Sequence, residues 1–145
     1  MADNFKYTAG LHNVGSYQVS GIPFATSSAI PASGSATPHW KVEFPFVTSE
    51  ITIDNHAQNS HEKARIAFSA RGLKDEVANY YLIGSSKDGI GSTTFRIKAT
   101  ELYCMSDGSH TDEVSICAAL TTIPVERINN ISPSGSNWSG SAGVG

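Results

Sequence analysis

The chain has 145 residues, a formal net charge of −3 and only 16% charged residues, against a typical ~25%. That length suits one domain able to bury close to ~70% of its unfolded surface. The ten Lys and Arg are scattered, which argues against binding a phosphate backbone, and no apolar run reaches the ~20 residues that span a bilayer.

Residues 1–38 are expected to be irregular. Gly10, Gly15 and Gly21 punctuate them, and Tyr17, Gln18 and Val19 form the one short strand-like run. The opening MADNFKYTAG has neither the basic nor the apolar region of a signal peptide, which predicts folding in the cytosol. Residues 26–38, TSSAIPASGSATP, show no periodicity and read as a loop or as an arm ordered by a neighbouring subunit.

An ordered β domain is expected over residues 39–131. Trp40, Val42 and Phe44 share one face, EITID at 50–54 alternates, and Ala64, Ile66 and Phe68 fall together. Residues 77–83, VANYYLI, favour a strand over a short helix because the Tyr pair is followed by Gly84. The centre of this reading is residues 93–123. Phe95, Ile97 and Ala99 alternate with polar neighbours, as do Val114, Ile116, Ala118 and Leu120, with an Asp107-Gly108 turn signal between the runs. That pattern predicts a long hairpin. Its apolar parity changes near Thr100 and Glu101, where a β-bulge is expected to restore the facing. Six to eight strands with turn signals between them predict an all-β fold, a single antiparallel sandwich or jelly-roll-like barrel. Its expected core is Trp40, Val42, Phe44, Ile66, Phe68, Phe95, Ile97, Val114, Ile116 and Leu120. Residues 132–145 form a Ser/Gly-rich tail with a single aromatic anchor, Trp138.

The chemistry is read mainly by exclusion, and neither an enzyme nor a cofactor is expected. His56 and His61 flank one turn with Asp54 ahead of them, yet the spacing matches no zinc pattern. Asp107, Asp112 and Glu113 near the expected hairpin tip read as a solvated turn ahead of a calcium site. Gly89-Ile90-Gly91 lacks the strand-to-helix context of a phosphate loop, and no nucleophile elbow is present. Cys104 and Cys117, on opposite arms of the expected hairpin, are near neighbours in that reading, with two buried thiols as the default over a disulfide. Ser and Thr fill about a fifth of the chain. Such a neutral, hydroxyl-rich surface repels other protein copies weakly.

Four motifs carry a family resemblance. Gly10, Leu11, Asn13, Val14, Gly15, Ser16, Tyr17, Gln18, Val19, Ser20, Gly21, Pro23 and Phe24 carry the first. Phe44, Pro45, Val47, Thr48, Ile51 and Ile53 carry the second. Phe95, Ile97, Lys98 and Glu101 carry the third, and Leu120, Thr121, Ile123, Pro124 and Arg127 the fourth. In these the chain resembles a group of small virion structural proteins of tailed marine bacteriophages. The resemblance covers about three-quarters of the chain and implies assembly into a particle, with its arm as the most specific part. The expected function is a capsid decoration or cement protein on the outer head surface, partnered by other copies of itself and by the major capsid protein. A trimer is favoured, and no nucleic acid or membrane is bound. The expected interaction arm presents Leu11, Val14, Tyr17, Val19, Ile22 and Phe24. Alternatives are a neck or tail ring component, or a carbohydrate-binding sandwich in which Trp40, Tyr80, Tyr81 and Trp138 stack on sugars.

Overall fold

Short runs of β-branched and aromatic residues, cut by Gly, Pro and Ser, give short strands that must share neighbours to bury one face. The computed structural model describes residues 21–36 and 38–127. Among these, eight strands form: β1 Ile22–Ile30, β2 Trp40–Glu43, β3 Phe46–Asn55, β4 Ala64–Ala67, β5 Tyr81–Ile83, β6 Ser92–Phe95, β7 Glu101–Ser106 and β8 Asp112–Pro124. The only helical elements among the described residues are three single 3-10 turns.

The strands build two four-stranded sheets, ordered β1-β8-β3-β6 and β2-β7-β4-β5. Every pairing is antiparallel. Both sheets contribute to one hydrophobic cluster: Ile30, Ile51, Ile53, Val114, Ile116, Ala118 and Leu120 come from the first, and Val42, Ala64, Ile66, Ile83, Leu102 and Cys104 from the second. An edge-to-face ring contact spans the sheets on each side. Phe24 of β1 meets Phe44 just beyond β2, and Tyr81 of β5 meets Phe95 of β6, both at 5.2 Å between centroids.

Of the expected core, Val42, Phe44, Ile66, Val114, Ile116 and Leu120 are buried, while Trp40, Phe68, Phe95 and Ile97 pack half-buried against them. Four expectations are corrected. The long hairpin does not form, because β7 and β8 belong to different sheets. Asp107 and Gly108 are held by neighbours instead, with Asp107 N–H donating to Lys63 C=O and Ser33 N–H to Gly108 C=O. The parity change near Thr100 is therefore no bulge; it marks the passage of the chain between sheets over residues 96–100. Cys104 and Cys117 are thereby parted: Cys104 is buried in the core, Cys117 is exposed, and both are free thiols. Finally, the irregular segment and arm were expected to run to residue 38, but Ile22–Ile30 is a full strand on β8. Its core-side row contains Thr26 and Ser28, whose small polar side chains hide the period of two.

Thr48 sustains the passage between sheets. It is fully buried. Its N–H donates to Ala99 C=O at 3.0 Å; its hydroxyl donates to Ile97 C=O at 2.8 Å and accepts from Ala99 N–H at 2.9 Å. Replacing Thr48 by Val keeps the shape and strands two backbone groups. The expected loss is about 2–4 kcal/mol in denaturant unfolding, since each buried unsatisfied group costs roughly 1–3 kcal/mol. Thr48→Ser, which retains the hydroxyl, should recover most of it.

Candidate functional site

The loops at one end of the sheets are tied by Asn55, a buried polar residue at the end of β3. Its side-chain amide donates to Gly84 C=O at 3.1 Å and to Glu62 C=O at 3.4 Å, and its Oδ1 accepts from Ala57 N–H. Its own N–H donates to Gly91 C=O at 2.7 Å. A Cβ at Gly91 would lie 2.8 Å from Asn55 O and 2.6 Å from the Ser86 backbone, so only glycine permits this approach. The hydroxyls of Ser85 and Ser86 both donate to Ala57 C=O.

Against this knot lie two open clefts that share Asn59, Glu62 and His110. One, about 550 Å³, also takes in His61 and Asp107; the other, about 350 Å³, takes in His56 and Asp112. Their chemistry centres on two carboxyls. Asp112 is 7% exposed, and no donor among the described residues reaches its buried Oδ2. The charge that acts on it is the neighbouring Glu62 carboxylate. Two carboxylates close together disfavour each other's ionisation. Burial, followed by the Glu62 charge, pushes the Asp112 carboxyl up. Glu62 is pulled down, chiefly by the Asn59 amide, which donates to Glu62 Oε1 at 3.0 Å, with help from the Asp112 contact and from His110, whose Nδ1 lies 3.2 Å from the same oxygen. The arrangement can store and exchange a proton.

The other residues singled out in the sequence are dispersed. His56 Nε2 pairs with Ser115 Oγ at 2.9 Å, and His61 N–H donates to the Asp88 carboxylate. Asp107 serves Arg65, and Glu113 accepts from Ser27 Oγ. No three His, Cys, Asp or Glu among the described residues gather as metal ligands. Trp40 and the Tyr80–Tyr81 pair sit at opposite edges of the second sheet. Trp40 packs on the core, Tyr80 covers the Arg65 guanidinium at 4.6 Å, and only Tyr81, half exposed, offers a ring. Burial pushes the Cys104 thiol up to about 12, which leaves it unreactive. Of the expected arm, Ile22 and Phe24 lie in β1, a correction to its boundary; Leu11, Val14, Tyr17, Val19 and the tail residue Trp138 lie outside the described residues. Glu62, which the sequence reading missed, carries no local signal, because only the fold brings it to Asp112.

The surface features suited to assembly are an edge and a face. Three of the four sheet edges among the described residues are short: β2 has four residues and carries the Lys41–Glu43 ion pair, β5 has three and β6 four. β1 has nine residues, IPFATSSAI, with no charge. Beside it, the outer face of the first sheet presents small side chains in rows such as Ala25, Cys117, Thr52 and Thr94. Comparison with protein-family models and with curated proteins returns no match.

The carboxyl pair makes stability depend on pH. The raised Asp112 favours the fold while both states are protonated; that advantage is lost as pH climbs from the ordinary Asp value of ~3.9 through the higher folded value. The lowered Glu62 works oppositely, its contribution being lost as pH falls below its ordinary range. Asp112→Asn supplies a permanent donor to Glu62. It should raise the melting temperature by a few degrees at neutral pH, with the gain vanishing below the ordinary Asp pKa.

Proposed function

We propose that the chain is a structural component of a phage virion, a decoration or cement protein that binds the outer head surface and stabilises it. The observation that carries the reading is the long, uncharged β1 edge, flanked on the outer face by the small-residue row Ala25, Cys117, Thr52 and Thr94, with Glu113, Asp54 and the Glu50–Arg96 pair lying in the rows on either side. Such a surface favours association with other protein strands and sheets. The strand orders support it as well: β1-β8-β3-β6 over β2-β7-β4-β5 is the arrangement of an eight-stranded jelly roll, an architecture recurrent in viral capsid domains, lectins and cupins. Fold alone does not choose among those uses. The choice rests on the surface and on the resemblance of the GLHNVGSYQVSGIPF, FPFVTSEITI and closing motifs to virion structural proteins. The sugar-binding alternative is weakened by the separation of Trp40 from Tyr80 and Tyr81.

In this reading residues 1–20, with Leu11, Val14, Tyr17 and Val19, are an assembly arm, and the domain begins at β1. Burying those side chains yields roughly 1.5–3 kcal/mol each, offset by ordering costs of about 1–2 kcal/mol per residue. A single arm therefore holds weakly, and many tethered copies on one particle hold firmly through their effective concentration. Removal of residues 1–20 should leave the melting transition intact and abolish co-sedimentation with purified heads, whereas the full chain co-sediments and raises the temperature at which heads break open. Immunogold label confined to the neck or tail, or no particle label at all, would overturn the assignment.

A further inference from the structure

The hydrogen bonds of β3 fix which backbone groups of β1 are in use. His56 N–H donates to Glu113 C=O at 2.9 Å and Asn55 N–H turns the other way, to Gly91. Within antiparallel strands successive residues turn their N–H and C=O to alternate sides. Ser115, Cys117 and Ala119, opposite Asp54, Thr52 and Glu50, therefore bond β3. Val114, Ile116 and Ala118 face β1, where they meet Ser28, Thr26 and Phe24. The remaining β1 residues, Pro23, Ala25, Ser27 and Ala29, turn their groups to the free edge. Pro23 has no N–H to lose there, which agrees with this parity. No backbone hydrogen bond from another described residue reaches these groups; Ala29 C=O receives one from the neighbouring Ser28 hydroxyl at 3.2 Å.

The free donors are symmetric. Pro23 and Pro31 stand four residues before and four after Ser27, and Pro31 C=O is already taken by Ser106 N–H. Between these prolines lie Ala25, Ser27 and Ala29, with small side chains on the outer face and no charge. Gly21, just before β1, lies close on Ala119 of β8, where a Cβ would come within 2.5 Å of Ala119 Cβ. Among the described residues nothing pairs with this edge.

We propose that the free edge of β1 pairs antiparallel with β1 of a second copy of this chain, about a twofold axis at Ser27, joining two four-stranded sheets into one of eight strands. In this register Ser27 faces its own counterpart, Ala25 faces Ala29, and all three free donors are satisfied on each copy. Thr26 faces Ser28, a favourable hydroxyl pair. A second copy is the occupant because its edge matches in length, parity, proline spacing and lack of charge. A strand of nine residues is about 30 Å long. With a rim on the order of 10 Å deep it buries roughly 600 Å² over both copies, below the ~1,000 Å² of a stable interface. The pairing is thus weak in dilute solution and strengthens where copies are concentrated. It rests on the described residues alone, whatever particle the chain joins.

Cross-linking tests the register. Ser27→Cys and Ala29→Cys are each made with Cys117→Ser and oxidised mildly at high protein concentration. Paired Ser27 positions lie ~5.5 Å apart between Cα atoms, within disulfide reach, whereas paired Ala29 positions are offset by roughly 14 Å. The Ser27 variant should form disulfide dimers at least about tenfold faster than the Ala29 variant. Equal rates, or no dimer from either, would overturn the proposal. Ala25→Pro should lower the dimer fraction in sedimentation without changing the melting temperature; a fall in that temperature would mean that Ala25 N–H serves the domain's own ladder, and would overturn the parity. Head binding by a strictly monomeric chain would remove the pairing and leave the virion reading intact, and a twofold dimer that binds no particle would do the reverse.

Discussion

A chain that leaves one sheet to enter another steps out of the regular strand ladder, and its backbone groups still need partners. Here that crossing spans residues 96–100, and Thr48 supplies the partners with its own N–H and both functions of its hydroxyl. Phe44 N–H, bonded to Thr100 C=O at 2.9 Å, completes the passage. The rest of the architecture depends on this arrangement. Without the crossing, β6 and β7 would continue as one strand, β7 would lie beside β8, and neither sheet would have its observed order. A threonine suits the position because a β-branched side chain fits a strand while its hydroxyl both gives and accepts a bond.

That dependence explains what was legible in the sequence. The period of two is strong over the second half of β3 and in β8, where buried Ile, Val and Leu alternate with other residues, so element type was readable there. The parity slip at Thr100 was readable too, and its meaning was not. A bulge and a change of sheet leave the same mark in one dimension, since both shift which residues face the core. Deciding between them needs the partner, and Thr48 lies far away in sequence. β1 was hidden for another reason. A strand pinned at an edge against a long neighbour can carry Thr and Ser on its core side, where half-burial costs little and the strand beside it supplies the apolar surface. Periodicity fails where the hydrophobic effect is not what holds the strand.

The loop cluster shows the same limit at the level of chemistry. Asp112 was singled out with Asp107 and Glu113 because three acids fall close together in sequence, yet the fold sends each to a different partner: Glu62, Arg65 and Ser27. What makes Asp112 distinctive is burial beside another carboxyl, and neither property is written in the residues around it. The aromatic residues make the converse point. Trp40, Tyr80 and Tyr81 suggest a stacking platform when read as a set, but two of the three rings are occupied within the domain.

The two sheets treat their outer faces differently, and that asymmetry bears most directly on assembly. On the second sheet, β4 is buried on both sides. Arg65 lies under the segment that carries Leu73, Asp75 and Tyr80, bonded to Leu73 C=O at 3.1 Å and paired with Asp75 and Asp107, and Ala67, Leu73 and Tyr103 form a small cluster of their own. A guanidinium so enclosed needs every one of those partners, because a buried charge left unpaired is costly. The segment over residues 70–80 is thus held against β4. Among the described residues the first sheet has no such cover. Its outward row of Ala25, Cys117, Thr52 and Thr94 keeps to small side chains, and the edge beside it is long and uncharged. The covered face helps hold the fold together, and among the described residues the first sheet keeps its outer face uncovered.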